Sequence, residues 1–147
     1  MELKFQVHGR IARPVAEVFD AVYNPDKLSG YFTTGGASGP LDEGATVKWD
    51  FADFPGAFPV HVRKMELERL IVLEWDGADD GSTTEVRVEF EALDNHSTMV
   101  RISEGTWKET QKGLDQSYGN CSGWMQMIAA MKMYLEHGIN LREGFFK

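Results

Sequence analysis

Cysteine, proline and long apolar runs are scarce in this 147-residue chain, and their scarcity excludes several classes of protein. The single cysteine, Cys121, has no partner for an internal disulfide and no second thiolate for a cysteine-based zinc site. No apolar run approaches the ~20 residues that a membrane-spanning helix needs, so we expect no membrane insertion. The first residues also lack the apolar segment of a secretion signal, and we therefore expect a cytoplasmic protein.

Positive charge is also in short supply. The chain has 15 lysine and arginine residues against 23 acidic residues, which gives a net charge of −8. This balance repels a phosphate backbone, and no basic cluster offsets it, so we expect no nucleic-acid binding. The chain has no phosphate-loop, nucleophile-elbow or dinucleotide motif, and no short metal-ligand spacing joins its four histidines, His8, His61, His96 and His137. We accordingly predict no metal and no cofactor, and we name no catalytic residue.

Large apolar side chains are what the chain has in quantity. It contains nine Phe, four Trp, four Tyr and seven Met, within a hydrophobic fraction of 42% and a charged fraction of 26%. This is the composition of a globular protein, and the length predicts a single domain, residues 1–147, with a sizeable core. The composition fits a filled core and an apolar pocket equally well.

The apolar pattern predicts an α+β chain that begins with a strand. Residues 3–11 alternate apolar and polar side chains, as a half-buried strand does. Pro14 opens a short helix that ends near Tyr23, and Asn24-Pro25 starts a second. Residues 33–39 are a loop or a weak edge strand. The next segments alternate again and predict an antiparallel meander with turns at residues 42–44, 55–56, 79–81 and 94–97, and with a bulge in the strand at residues 58–67.

A helical period replaces the alternation at about residues 114–136. This helix would be about 35 Å long at 1.5 Å per residue, with Gly138 just beyond its C-terminus. Its predicted buried face repeats every seven residues, at Leu114, Cys121, Ile128 and Leu135, with Tyr118, either Trp124 or Met125, and Met131 between them. On that face Cys121 would be a buried, inert thiol.

Glu104 is the polar residue with the most informative position. The inward alternation of Val100 and Ile102 continues to Glu104, which would direct its carboxylate toward the interior, where it needs a polar partner. The alternative is that the strand frays at Gly105 and that Glu104 reaches water.

Three stretches of the chain resemble the START and birch-pollen-allergen superfamily (SRPBCC), and within it the family related to the C-terminal domain of the activator of heat-shock protein 90 ATPase. They are residues 14–21 with Asn24-Pro25 and Tyr31-Phe32, residues 70–75, and Gly123-Trp124 with residues 131–138. The resemblance implies the helix-grip fold, a curved antiparallel β-sheet wrapped around a long C-terminal α-helix, with two short helices after the first strand. The chain departs from the family at residues 67–69, where prolines are usual, and we expect it to lack the additional N-terminal domain of the eukaryotic activator.

The resemblance implies a small hydrophobic or amphipathic ligand held between the sheet and the C-terminal helix. The predicted cavity residues are Trp49, Phe51, Trp75, Phe90, Glu104, Trp107, Tyr118, Cys121, Met125 and Ile128. The rival interpretation is that the same side chains form a filled core. An alternative function is a chaperone-associated interaction module with a role in the stress response. A second alternative is a small cyclase or hydrolase that uses Glu104, Tyr118 and His61. A monomer and a homodimer are both compatible with the sequence.

Overall fold

The computed structural model describes residues 1–147, and the chain runs through one strand, two short helices, six strands and a long helix. The helices are α1 (Val15–Tyr23), α2 (Pro25–Leu28) and α3 (Gln111–His137). The strands are β1 (Leu3–Ile11), β2 (Gly36–Ala37), β3 (Thr46–Phe51), β4 (Phe54–Glu66), β5 (Leu70–Asp76), β6 (Thr83–Asp94) and β7 (Ser97–Trp107). The predicted α+β order of elements is confirmed, with clear alternation in β1, β6 and β7 and a helical stripe in α1.

All seven strands belong to one antiparallel sheet in the order β1-β7-β6-β5-β4-β3-β2. Strands β2 to β7 form a meander, whereas β1 pairs with β7 because α1 and α2 carry the chain from one edge of the sheet to the other. Register shifts interrupt four of the strand pairs, including the predicted one in β4, between Val62 and Lys64. Such bulges increase twist and bend the strands, which lets the sheet curve around α3.

Helix α3 lies against β1 and β7 on the concave face of this sheet. The helix packs tightly against β1 at Gly9, where an added Cβ would lie 2.4 Å from Cγ2 of Ile128. Thr110 caps the helix by accepting a hydrogen bond from the N–H of Gly113 at 3.0 Å. Gly138 ends it in the left-handed conformation at φ 68°, as predicted. None of the helices is long and apolar enough to cross a membrane.

The turn between β3 and β4 differs from the prediction. It lies at Ala52-Asp53, and residues 55–56, predicted as the turn, are already part of β4. The first residues of β4 extend beyond β5, whose pairing with β4 begins at His61, so they have a free edge. A proline, which cannot donate to a ladder, is tolerated at such an edge. Residues 33–39 contain the short edge strand β2, one of the two predicted alternatives.

The space between the sheet and α3 is filled by side chains. A cluster of 25 buried hydrophobic residues occupies it, with a group of aromatic rings at its centre. The Trp124 ring lies 5.4 Å from Phe32, 5.5 Å from Trp75 and 6.5 Å from Trp49, measured between centroids. The five depressions of the molecule are all open to solvent. The interior is thus a filled core, and space for a ligand lies at its margin.

Candidate functional site

Glu104 is a buried carboxylate at the margin of this core, with only 2% of the residue exposed. It continues the alternation of β7 to the inward face, which is one of the two predicted alternatives. Thr84 on β6 and Trp75 on β5 face the same side, and the sheet register pairs them directly. Helix α3 contributes Asn120 and Trp124, which are four residues apart and therefore share one helix face. The site is built where three neighbouring strands meet one face of the helix.

Four side chains donate hydrogen bonds to the Glu104 carboxylate. Trp75 Nε1 and Thr84 Oγ1 lie 2.9 Å and 2.7 Å from Oε2. Trp124 Nε1 lies 2.8 Å from Oε1, and Asn120 Nδ2 reaches both oxygens, at 3.2 Å and 3.1 Å. All four neighbours place a donor against the carboxylate, so both of its oxygens are used as acceptors inside the molecule. Neutral dipoles, rather than a lysine or arginine, surround this buried group.

An open groove with a volume of about 250 Å³ lies beside this network, between β4, β5 and α3. Its lining residues are Phe58, Pro59, Trp75, Asp76, Gln116 and Asn120. Trp75 and Asn120 therefore both bond to Glu104 and face the groove. The rings of Phe58 and Trp75 pack at a centroid distance of 5.7 Å and form its apolar wall.

Internal hydrogen bonds determine which polar atoms remain free to bond a molecule in the groove. Asn120 uses Nδ2 on Glu104, which leaves its Oδ1 as an acceptor. Gln116 Oε1 accepts from Trp107 Nε1 at 2.6 Å, which leaves the Gln116 amide nitrogen as a donor. Asp76 forms no ion pair, and its carboxylate supplies further acceptors. The groove thus offers one amide donor and two kinds of acceptor beside two aromatic rings.

The predicted cavity residues that lie inside the molecule do not form one group, because they occupy different parts of it. Trp75 and Glu104 meet at the groove, and Trp107 contributes indirectly by holding Gln116. Trp49 and Phe51 belong to the aromatic core behind it. Two further members are buried away from the groove, Phe90 beside Phe19 of α1 and Ile128 against Gly9 of β1.

The prediction that Tyr118 and Met125 roof the interior is wrong. They are 67% and 43% exposed and lie on the outer face of α3. Cys121 is half-buried, less enclosed than predicted. Of the predicted buried face, Trp124, Ile128 and Met131 are buried, and Trp124 is the one of the two alternatives that turns inward, where its N–H reaches Glu104. The buried residues of α3 are Gly113, Ser117, Trp124, Gln126, Met127, Ile128, Ala130 and Met131.

Two of the donors are predicted from the sequence to face the interior, Trp75 and, as one of two alternatives, Trp124. The sequence assigns no role to the remaining donors and polar groove residues, Thr84, Asn120, Gln116 and Asp76. The spacing of Asn120 and Trp124, two donors on one helix face, was the one available signal. It becomes informative only when the helix rotation relative to β7 is known.

The three residues proposed for an enzyme do not come together. His61 alternates with core residues of β4, so it points outward, where its Nδ1 lies 2.9 Å from Thr46 Oγ1. Tyr118 is on the solvent face of α3. Of the three, Glu104 alone lies next to the groove, behind Trp75 and Asn120, and these three side chains form no catalytic group. No set of three or more His, Cys, Asp or Glu side chains is placed to hold a metal ion.

Fold and site together define a helix-grip protein with a polar, buried carboxylate where the sheet meets the helix. Residues 12–136 match the family model for Activator of Hsp90 ATPase homolog 1-like protein. The chain belongs to this family, which confirms the resemblance found in the sequence. A comparison with curated proteins gave no match.

Solved structures share the fold at low sequence identity. The protein SSP2350 from Staphylococcus saprophyticus is 23% identical, with a TM-score of 0.79 and coverage of 95% of this chain and 96% of that protein. The Aha1 dimer from Colwellia psychrerythraea is 23% identical, with a TM-score of 0.74 and coverage of 92% and 97%. DynU16, from the dynemicin biosynthetic locus, is 22% identical with a TM-score of 0.80; the match covers 95% of this chain but 49% of DynU16. These likenesses concern the fold alone.

Proposed function

We propose that this chain binds a small amphipathic ligand in the groove beside Glu104. The observation that carries the proposal is the set of hydrogen bonds by which the buried carboxylate holds Trp75 and Asn120, two groove-lining side chains, in fixed positions. Side chains fixed in this way form a site before the ligand arrives, which lowers the entropic cost of binding. Apolar walls with a few fixed polar groups are the usual composition of small-molecule sites.

The free polar atoms indicate the chemistry of the ligand. A flat apolar part would pack on Phe58 and Trp75. A hydroxyl or amino group would donate to Asn120 Oδ1 or to Asp76, and a carbonyl or ether oxygen would accept from Gln116. The volume of about 250 Å³ is slightly below the ~300 Å³ at which ordinary ligand pockets begin. The groove therefore suits a fragment-sized molecule or one end of a larger one.

Indole N–H resonances test this proposal directly. The four tryptophans have distinct surroundings: Trp75 and Trp124 donate to Glu104, Trp107 donates to Gln116, and Trp49 has no acceptor. Titration with a panel of hydroxylated and amino-substituted aromatic compounds should shift the Trp75 resonance in a saturable way. The Trp49 resonance should move least, because its ring is buried in the core.

Two variants of α3 provide the matched comparison. Asn120→Ala removes a polar atom of the groove and should weaken binding of the best compound about 10-fold. Tyr118→Ala changes a side chain on the outer face of the same helix and should leave the affinity unchanged. If no compound moves the Trp75 resonance, or if both variants weaken binding equally, the groove is not the binding site.

A chaperone-associated function is the second candidate, and one surface feature favours it. Phe54, Phe145 and Phe146 are 48%, 52% and 39% exposed and pack against one another with centroid distances of 5.8 Å and 4.8 Å. Adjacent exposed aromatic residues are typical of protein-interaction surfaces. If this proposal holds, the chain stimulates the ATPase of purified heat-shock protein 90, and Phe145→Ala reduces the stimulation. No binding and no stimulation at micromolar protein would reject it.

A further inference from the structure

The last residues of the chain form a segment that does not line the groove beside Glu104. Residues 139–147, here called the C-terminal strap, follow Gly138 and cross over the turn between β3 and β4. Most of the strap is exposed, yet Arg142 within it is only 6% exposed. A buried arginine in an exposed terminal segment requires an explanation, because burying a charge is costly unless it is paired.

The guanidinium of Arg142 occupies a site that complements a cation on every side. Its Nε lies 3.1 Å from Oδ2 of Asp53 and its Nη2 lies 3.2 Å from Oδ1, while Nη1 lies 3.2 Å from Gln126 Oε1. Aromatic rings surround it as well, with centroids at 4.7 Å for Phe51 and 5.6 Å for Phe32. Carboxylate, amide oxygen and aromatic faces are the groups that recognise guanidinium and ammonium ions.

Most of this site belongs to the body of the domain rather than to the strap. Phe32 follows α2, Phe51 and Asp53 lie at the end of β3 and in its turn, and Gln126 lies on α3. The strap contributes the cation itself and one further ring, Phe146, at 5.2 Å. The body therefore presents a preformed cation receptor, in which the chain's own Arg142 is the occupant.

The strap is held in a way that permits exchange. No backbone hydrogen bond joins residues 139–147 to any strand, so side chains alone fasten the strap to the sheet. An open groove of about 460 Å³ runs beside it and is lined in part by Asp53, Asn140 and Arg142, so solvent reaches the edge of the site. The Gln126 amide nitrogen is buried without an acceptor, which leaves one donor of the site unused.

We propose that Asp53, Gln126, Phe32 and Phe51 form a binding site for a small molecule that carries a guanidinium or alkylammonium group. Arg142 occupies this site in the free protein, and a cationic ligand takes its place. A cation is the favoured occupant, because the Asp53 carboxylate, whose side chain is only 10% exposed, loses its ion-pair partner in an empty site. A carbonyl or hydroxyl oxygen on the ligand would satisfy the unused N–H of Gln126.

Chemical rescue of Arg142→Ala tests this site, with ethylguanidinium as the probe and neutral ethylurea as its control. Loss of one partner from a buried ion pair should lower the melting temperature of the variant by about 10 °C. Millimolar ethylguanidinium should restore at least half of that loss in a saturable way, and ethylurea should not. Rescue should disappear in the double variant with Asp53→Asn, and Arg63→Ala, which removes an exposed arginine of an ion pair, should show no rescue.

The proposal is overturned if ethylurea rescues as well as ethylguanidinium, or if a folded Arg142→Ala variant gains no stability from the cation. If that variant does not fold, the wild-type chain replaces it, and the side-chain amide resonances of Gln126 are followed during the titration. A saturable shift with ethylguanidinium but not with ethylurea supports the site. Absence of any shift overturns it.

Discussion

Replacement of Glu104 by glutamine keeps the shape of the side chain but removes its charge and one acceptor oxygen. The amide nitrogen takes the position of one carboxylate oxygen. At the Oε2 position this nitrogen would face two donors, Trp75 and Thr84. The Oε1 position is therefore preferred, because Asn120 can then still donate to the remaining oxygen at the Oε2 position. The donor left without an acceptor is then Trp124 Nε1, whose residue is 3% exposed.

The expected cost follows from this geometry. A buried donor without an acceptor costs ~1–3 kcal/mol, and the remaining hydrogen bonds weaken because their acceptor is no longer charged. Relief of burying a charge offsets part of this loss. We expect Glu104→Gln to lower the free energy of unfolding by about 2 kcal/mol. Glu104→Ala removes the acceptor of all four donors, of which Thr84 and Trp124 are buried, and creates a cavity, so its cost should be about 4 kcal/mol or more.

Urea unfolding followed by far-ultraviolet circular dichroism measures both values. With an m-value of about 2 kcal/mol/M, Glu104→Gln should lower the midpoint by about 1 M. Glu89→Gln removes the same charge from a half-exposed position on β6 and should change stability by less than about 0.5 kcal/mol. In the Glu104→Gln variant the indole N–H resonance of Trp124 should move further than that of Trp107. The reasoning is refuted if Glu104→Gln is as stable as the wild type, or if both replacements of Glu104 cost the same.

Two other perturbations test how α3 is fastened to β1. Gly9→Ala should lower the free energy of unfolding by ~1–3 kcal/mol, because its methyl group would lie against Cγ2 of Ile128. Ile128→Ala in the same chain should recover part of that loss. If the losses of the two single variants simply add in the double variant, the close contact is contradicted. Burial raises the pKa of Glu136, but hydrogen bonds from the Ala12 N–H and Lys132 outweigh it and hold the pKa below its ordinary value. The carboxylate therefore stabilises the fold above the pKa of the unfolded chain, and this contribution is lost as pH falls through the lower folded value. Glu136→Gln should be less stable than the wild type at about pH 7, with a gap in urea midpoint that closes toward about pH 3; a gap independent of pH would contradict this.

The fold was predictable to a large extent because its elements differ in hydrophobic period. Alternation marked β1, β6 and β7, and a helical stripe marked α1. The wrong predictions occurred where one local signal is compatible with two structures. Pro55 is typical of a turn, but it also fits a strand with a free edge, as at the start of β4.

The candidate site was predictable only in part, at Trp75 and Glu104. Strand alternation, a property of neighbouring residues on one chain segment, favours an inward Glu104, but fraying at Gly105 is the alternative that the sequence leaves open. The donors that satisfy Glu104 come from β5, β6 and α3, and nothing local relates Trp75, Thr84 and Asn120 to one another. The rotation of α3 decided which of Trp124 and Met125 faces the interior. Trp124 does, so one side chain supplies both a large apolar ring to the core and the N–H that reaches the Glu104 carboxylate.

The sequence by itself determined the family and the order of the elements, which depend on period and on short motifs, and it left the direction of Glu104 open between the interior and water. Tertiary structure alone decided that the interior is filled, that a groove of about 250 Å³ remains beside Glu104, and that Arg142 returns to pair with Asp53. These outcomes depend on strand register, helix rotation and contacts between distant residues, such as Asp53 and Arg142, which are 89 positions apart. Local propensity does not encode such contacts, because they form only when the whole chain has packed.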